Sequence, residues 1–251
     1  MNPQIQELVA KLDLSAIPAH VGIIMDGNGR WAKKQEKNRV FGHTEGAKRV
    51  KDIVRLANDI GIKHLSLYAF SIENWARPSF EVSALMTLIK SYIIKEREAL
   101  NNENVRFRLL GRKDGLAPEI IKEAEISTKE MENNTGLTLN LCINYGGRAE
   151  IVDAVKNIIL KGYSAGDITE ELISQNLYSP ELPDVDLIIR TSGEMRTSNF
   201  HLWRSAYSEL YVTDVLWPDF TQEEFIKAIK CYQNRERRFG KTGEQIKQEA
   251  K

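Results

Sequence analysis

Asp26-Gly27-Asn28-Gly29-Arg30 places an acid, two glycines and a fixed cation within five residues, a combination suited to holding a diphosphate. Gly27 and Gly29 permit a tight turn that aims successive N–H groups at an anion. Arg30 adds a guanidinium whose forked donors match phosphate oxygens. Asp26 alone would repel such a ligand. A divalent cation removes the conflict, because Mg²⁺ is commonly held by one or two carboxylates together with substrate phosphates. An isolated Asp-Gly turn has no such meaning, so the weight falls on the other loops.

Three of them are similarly polar. Ser71-Ile72-Glu73-Asn74-Trp75-Ala76-Arg77-Pro78 carries an acid, an amide and a cation, while Asn144-Tyr145-Gly146-Gly147-Arg148 and the run from Arg190 through Thr191-Ser192-Gly193-Glu194-Met195-Arg196-Thr197-Ser198 to Asn199 also bear glycine. Arg39, His43, Arg77, Arg190 and Arg196 supply more cations than one phosphate needs, and two separate diphosphates would account for them. His43 is expected to open a helix, whose positive end favours an anion.

Such loops need a scaffold that gathers them. Apolar runs at 20–25, 64–70, 105–110, 137–144, 186–190 and 209–212 read as strands, and helical patterns fall at 44–60, 80–100, 118–131, 149–160 and 222–238. The alternation predicts an α/β fold: one domain over 1–251 with a central, mainly parallel six-stranded sheet flanked by helices. A helix over about 1–16 would precede it, and a tail over about 241–251 need not be fixed to it. Every polar loop above follows a predicted strand, and open parallel sheets bind ligands beyond the carboxyl ends of their strands. The helix over 80–100 carries Val82, Leu85, Met86, Leu88, Ile89, Tyr92 and Ile93, an apolar surface broad enough to wall a hydrocarbon site as well as a core.

Composition excludes several classes. Lys+Arg and Asp+Glu both total 35, so the chain lacks the cationic surplus of a general nucleic-acid binder. Cys142 and Cys231 sit in apolar stretches with no partner at metal-ligand spacing, as expected of buried thiols in a reducing compartment. The N-terminus does not read as a signal sequence, and no apolar run approaches the ~20 residues that cross a bilayer. These features predict a cytoplasmic protein. Gly27-Asn28-Gly29-Arg30-Trp31-Ala32 formally matches a dinucleotide fingerprint. That motif needs an amphipathic helix starting at the glycines, whereas residues 33–39 are polar and helical periodicity begins only near His43.

The motifs together resemble the cis-prenyltransferase family, and within it the bacterial undecaprenyl diphosphate synthases. The resemblance runs from about His20 to Gly240. It includes the segment from His20 to Ala32, Gly42-His43, Tyr68-Ala69-Phe70-Ser71 with Glu73 to Pro78, Asn144 to Arg148, Ile189 to Glu194, Ser198-Asn199-Phe200, Ala206 to Leu210, and Trp217-Pro218-Asp219-Phe220. The paired Asp-Asp-x-x-Asp motifs of trans-type prenyltransferases are absent. The resemblance implies condensation of isopentenyl diphosphate onto an allylic primer such as farnesyl diphosphate, giving a polyprenyl diphosphate for a cell-wall lipid carrier, with an apolar tunnel for the growing chain. A non-catalytic subunit of the same fold is the alternative.

The same resemblance assigns roles. Asp26 and Glu209 would hold Mg²⁺; Gly27, Asn28, Gly29, Arg30, Trp31, Arg39 and His43 would seat the allylic diphosphate; Arg190, Arg196, Thr197 and Ser198 would bind isopentenyl diphosphate. Asn74 would relay a proton, with Ser71, Ile72, Glu73, Trp75 and Arg77 beside it. A homodimer is implied, with Arg238-Phe239-Gly240 approaching the partner, and so is peripheral contact with the inner face of the membrane for product release. Two departures stand out: His201 and Arg204 occupy positions where Leu and Gln are usual, and residues 35–38 lack the family's Gly and Pro.

Overall fold

In strand β1 (His20–Ile24) every residue is buried, and the same holds for β4 (Thr138–Tyr145). Strands buried along their whole length are covered on both faces. The computed structural model describes residues 2–238 together with Thr242 and Gln245. Its sheet adds β2 (His64–Ser71), β3 (Arg106–Leu110), β5 (Leu187–Arg190) and β6 (Glu209–Val212), in the order β3-β4-β2-β1-β5-β6. Every pairing is parallel, so the expectation of a mainly parallel sheet is met in full. The order reverses at β1, with β2, β4 and β3 on one side and β5 and β6 on the other. Such a reversal opens a crevice at the carboxyl ends of the strands.

Helices α1 (Pro3–Val9), α2 (Asn28–Lys34), α3 (Arg39–Asp59), α4 (Ser79–Asn102), α5 (Pro118–Glu130), α6 (Gly147–Leu160), α7 (Glu170–Ser174) and α8 (Gln222–Gln233) flank the sheet. The larger core cluster joins both layers, with Val21, Ile23, Leu65, Leu67 and Leu139 of the sheet against Ile53, Val54, Leu56 and Ala57 of α3. Among the described residues no helix is long and apolar enough to cross a membrane.

Several boundaries differ from the sequence expectation. A helix does begin at the glycines: Asn28–Lys34 is helical for seven residues, with Gly27 at its N-cap at φ 106°. Only Ala32 is buried there, so the segment needs almost no apolar periodicity to fold, which is why its polarity misled. The next helix starts at Arg39, ahead of the expected 44, because the Asn38 side chain accepts from the Phe41 N–H at 2.9 Å and caps it. His43 therefore lies one turn inside α3 instead of opening it. The last helix ends at Gln233, short of 238, where Arg235 and Arg237 turn back to pair with Glu209 and Asp186. The first covers Pro3–Val9, less than 1–16. Phe239, Gly240 and the expected tail, apart from Thr242 and Gln245, lie outside the described residues. Cys142 is buried as expected, whereas Cys231 is half-buried.

Helices α2 and α3 touch through Gly42, where an added Cβ would lie 2.1 Å from the Asn28 carbonyl oxygen. Backbone cannot retreat as a side-chain tip can. Gly42→Ala should cost about 1–3 kcal/mol through overpacking, read as a lowered Tm by circular dichroism; an unchanged Tm would show that the two helices separate freely.

Candidate active site

Asp26 follows β1 at the reversal point of the sheet and is half-buried. Its Oδ1 accepts from the Gly27 N–H at 2.7 Å, and its Oδ2 accepts from Arg190 at 2.9 Å. Arg30 stands 3.3 Å from the same oxygen. Burial works against ionisation of this carboxyl, but the hydrogen bond and charge of Arg190, then the charge of Arg30 and the Gly27 N–H, outweigh it and hold its pKa below the usual value. Asp26 is thus an ionised oxygen donor among cations.

Two adjoining basins open here. A polar one is lined by Met25, Asp26, Gly27, Asn28, Gly29, Arg30, Arg39, His43 and Arg77. The other, a cavity of about 240 Å³, shares Met25, Asp26, Asn28, His43 and Arg77 with it. Ser71, Asn74, Arg190 and Ser198 also line the larger cavity, beside an apolar wall of Val50, Leu85, Leu88, Ile89, Tyr92, Leu141 and Trp217. The broad apolar face of α4 thus serves as both core and cavity lining.

The cations come with organising anions that the sequence reading missed. Glu81, on α4 and 2% exposed, receives Arg39 at 3.0 Å and Arg77 at 3.2 Å and has His43 Nε2 at 3.5 Å. Its place four residues after Arg77, at the start of α4, was the available signal. Burial opposes its ionisation, and the charges of Arg39 and Arg77 prevail and lower its pKa. The His43 pKa is lowered too, chiefly by burial and then by the charge of Arg77, which for an imidazole favours the neutral ring near pH 7. Arg30 donates to the Ser192 hydroxyl at 2.5 Å and to the Ser192 carbonyl at 3.2 Å. Arg190, 5% exposed, donates to Ser198 Oγ at 2.7 Å and to the Arg196 carbonyl.

Other expected site residues stand apart from the cavity. Trp31 donates to Asp219 and stacks on Phe41. Arg196 is exposed and pairs with Glu194 at 2.6 Å. Thr197 contributes its carbonyl to the Phe200 N–H. Ile72 and Trp75 face a second groove on the far side of their turn, and Glu73 bonds Asn199.

Glu209 is the clearest correction. In register it pairs with Leu187, which pairs with Val21, so it lies level with the start of β1 while Asp26 follows its end. At ~3.3 Å per residue the two are on the order of 15 Å apart along the strand direction. Glu209 instead binds Arg235 at 2.5 Å. The alternation of loops and strands in sequence could not show which end of β6 would carry the acid. Among the described residues no group of three or more His, Cys, Asp or Glu could hold a metal. Asp26 by itself fits a hard cation, as an ionised oxygen at the mouth beside space for further oxygen ligands.

The family model for undecaprenyl diphosphate synthase, a prenyltransferase family, matches residues 24–240. An isoprenyl transferase of Fusobacterium nucleatum subsp. nucleatum is 55% identical, over 89% of this chain and 96% of that protein. One from Thermotoga maritima is 54% identical, over 89% and 97%. Among solved structures, lavandulyl diphosphate synthase from Lavandula x intermedia in complex with dimethylallyl diphosphate superposes with a TM-score of 0.88 at 32% identity, covering 90% of this chain and all of that one.

Glu81→Gln keeps the shape of the anion and removes its charge, leaving Arg39 and Arg77 uncompensated. A loss of about 1–3 kcal/mol is expected at pH 7. Since the folded carboxyl titrates below the unfolded value of 4.5, its contribution is present above that pH and disappears as pH falls through the folded pKa. The Tm gap between wild type and variant should therefore close in acid; a gap as wide at pH 3 as at pH 7 would refute the charge-based account.

Proposed function

The chain belongs to the undecaprenyl diphosphate synthase family of prenyltransferases, and we propose that it condenses isopentenyl diphosphate onto an allylic diphosphate, farnesyl diphosphate in the first instance, with Mg²⁺. One observation carries this reading. The cationic basin at Gly27–Arg30 is continuous with an apolar cavity through Asp26, Asn28, His43 and Arg77. An amphiphile with a diphosphate head and a hydrocarbon tail fits both at once; a dinucleotide has no use for the apolar wall.

The allylic diphosphate lies on the N–H groups and cations of the Gly27 turn, with Arg39 and Arg77 beside it, and its tail runs along Leu85, Leu88, Ile89 and Tyr92. When bound at Asp26, Mg²⁺ offsets charge on the departing diphosphate. Breaking the allylic C–O bond sends its electron pair to the diphosphate. Arg30 and the turn N–H groups stabilise that charge more in the transition state than in the ground state. Isopentenyl diphosphate is held at Arg190, Ser198 and Arg196, its double bond supplies electrons for the new C–C bond, and a proton then leaves the adjacent carbon. Asn74 is too weak a base to keep that proton. It orients the diphosphate oxygen or water that takes it. Glu209 has no part in the metal site of its own chain.

Two further elements belong to the proposal. Val152, Val155 and Ile159 form an exposed stripe on α6, at 48%, 42% and 65% exposure, with Leu160 and Tyr163 beside it. A helix that presents a continuous apolar face to water is suited to a second copy of the chain, which supports a homodimer. The product, longer in hydrocarbon than its primer, leaves toward lipid by peripheral contact with the membrane.

Incubated with farnesyl and isopentenyl diphosphates and Mg²⁺, the purified protein should give a ladder of products spaced by one isoprene unit in mass spectrometry. EDTA should stop it, and Asp26→Ala should lower turnover by at least about 10²-fold, as for loss of an electrostatic stabiliser. Absence of elongation across several allylic primers would refute the reading. Ile159→Glu should convert the dimer to monomer in light scattering; a variant that keeps the wild-type mass would place the interface elsewhere.

A further inference from the structure

The single turn Ile72–Ala76 carries Asn74, and none of its residues is buried. Trp75 packs edge-on against the buried Phe70, with ring centroids 5.0 Å apart. Within the turn Asn74 Oδ1 accepts from the Ser71 N–H at 3.2 Å, and the two neighbours of Asn74 are each held by an amide from another loop. Trp75 Nε1 donates to Asn144 Oδ1 at 2.7 Å, and Asn199 Nδ2 donates to Glu73 Oε1 at 2.7 Å. Both asparagines adopt left-handed backbone, at φ 49° and 65°, a conformation that Asn tolerates better than most residues.

Asn199 does more than hold Glu73. Its Oδ1 accepts from the Arg148 N–H at 2.8 Å, and its carbonyl accepts from the Gly147 N–H at 2.7 Å. The preceding residue, Ser198, accepts from Arg190 through its hydroxyl and from the Tyr68 hydroxyl through its carbonyl at 3.2 Å. One residue thus fastens the loops that follow β2, β4 and β5. The side chain is used at both ends: one amide hydrogen goes to the carboxylate, and the oxygen accepts from a backbone N–H.

We propose that Asn199 is a positioning residue, which acts through Glu73 to fix the turn and so hold Asn74 against the isopentenyl diphosphate bound at Arg190 and Ser198. The inference rests on the prenyl-transfer reading above. Asn199 touches neither substrate. Its loss leaves the allylic subsite at Gly27–Arg30 intact, so its signature is a fall in kcat and in isopentenyl affinity while the KM for the allylic diphosphate stays put.

Asn199→Asp preserves an acceptor for the Arg148 N–H but sets carboxylate against carboxylate at Glu73. Loss of a hydrogen bond to a charged group corresponds to about a 10- to 100-fold drop in kcat, with the allylic KM within about threefold of wild type. Adding Glu73→Gln to Asn199→Asp reverses the polarity of the bond, because the glutamine amide donates to the new carboxylate. The double variant should regain about tenfold of the loss. Asn199→Ala should show the same kcat deficit, and Glu73→Gln should not relieve it. Wild-type elongation, measured alongside, separates the two claims: a wild type without product refutes prenyl transfer itself. With an active wild type, the positioning role is overturned by Asn199→Asp and Asn199→Ala variants that turn over normally. It is equally overturned by a double variant no better than Asn199→Asp.

Discussion

Crowded positive charge is the constraint around which this molecule is organised. Arg30, Arg39, Arg77 and Arg190 converge on one crevice, and in the free protein their mutual repulsion must be balanced there. The balance is specific. Asp26 takes Arg190 and Arg30, Glu81 takes Arg39 and Arg77, and Glu194 stands by Arg30 and Arg196. Glu81 is the most deeply set of these anions, and a carboxylate so buried keeps its charge only because its cations surround it. The resulting site is preorganised: its arginines are already aimed when an anionic ligand arrives, so less ordering is needed on binding.

The second condition is continuity between unlike surfaces. Helix α4 begins with Glu81 at the cation cluster and continues with Leu85, Leu88, Ile89 and Tyr92 along the apolar wall. One helix therefore sets the distance between head-group subsite and hydrocarbon wall. Length discrimination in such a site depends on the packing of a handful of side chains on a single rigid element. A loop could not hold that spacing.

Much of this was legible in the sequence. Continuous apolar strands and the loops that follow them announced a parallel sheet and its ligand edge, because strand ends and turn chemistry are local properties. Asp26, Arg30, His43, Asn74, Arg77, Arg190 and Ser198 do meet at two adjoining basins. What local reading could not supply was anything dependent on register or on a partner distant in sequence. Glu209 was paired with Asp26 by resemblance, and parallel register puts it at the opposite end of the sheet. Glu81 looked like an ordinary helix glutamate until α3 brought Arg39 and His43 across to it. Helix α2 was hidden because a seven-residue helix with one buried side chain carries no periodic signal.

His201 and Arg204 belong to a polar layer that supports the site from below. Both are buried beneath the loop that carries Ser198 and Asn199. Arg204 donates to the carbonyls of Ser179 and Leu182, and its own carbonyl accepts from the Val185 N–H, so it ties that loop to the segment leading into β5. Its charge lowers the pKa of Glu150, although burial leaves that pKa raised overall. The Tyr145 hydroxyl donates to Glu150, and its oxygen lies 3.4 Å from His201 Nδ1. Burial foremost, followed by the charges of His20 and Arg204, keeps the His201 ring neutral. A neutral histidine beside a carbonyl-bound arginine adds one charge to this layer, and the acid for it is already present in Glu150. The layer below the loop is thus held by paired polar groups, and the backbone above it presents Ser198 and Asn199.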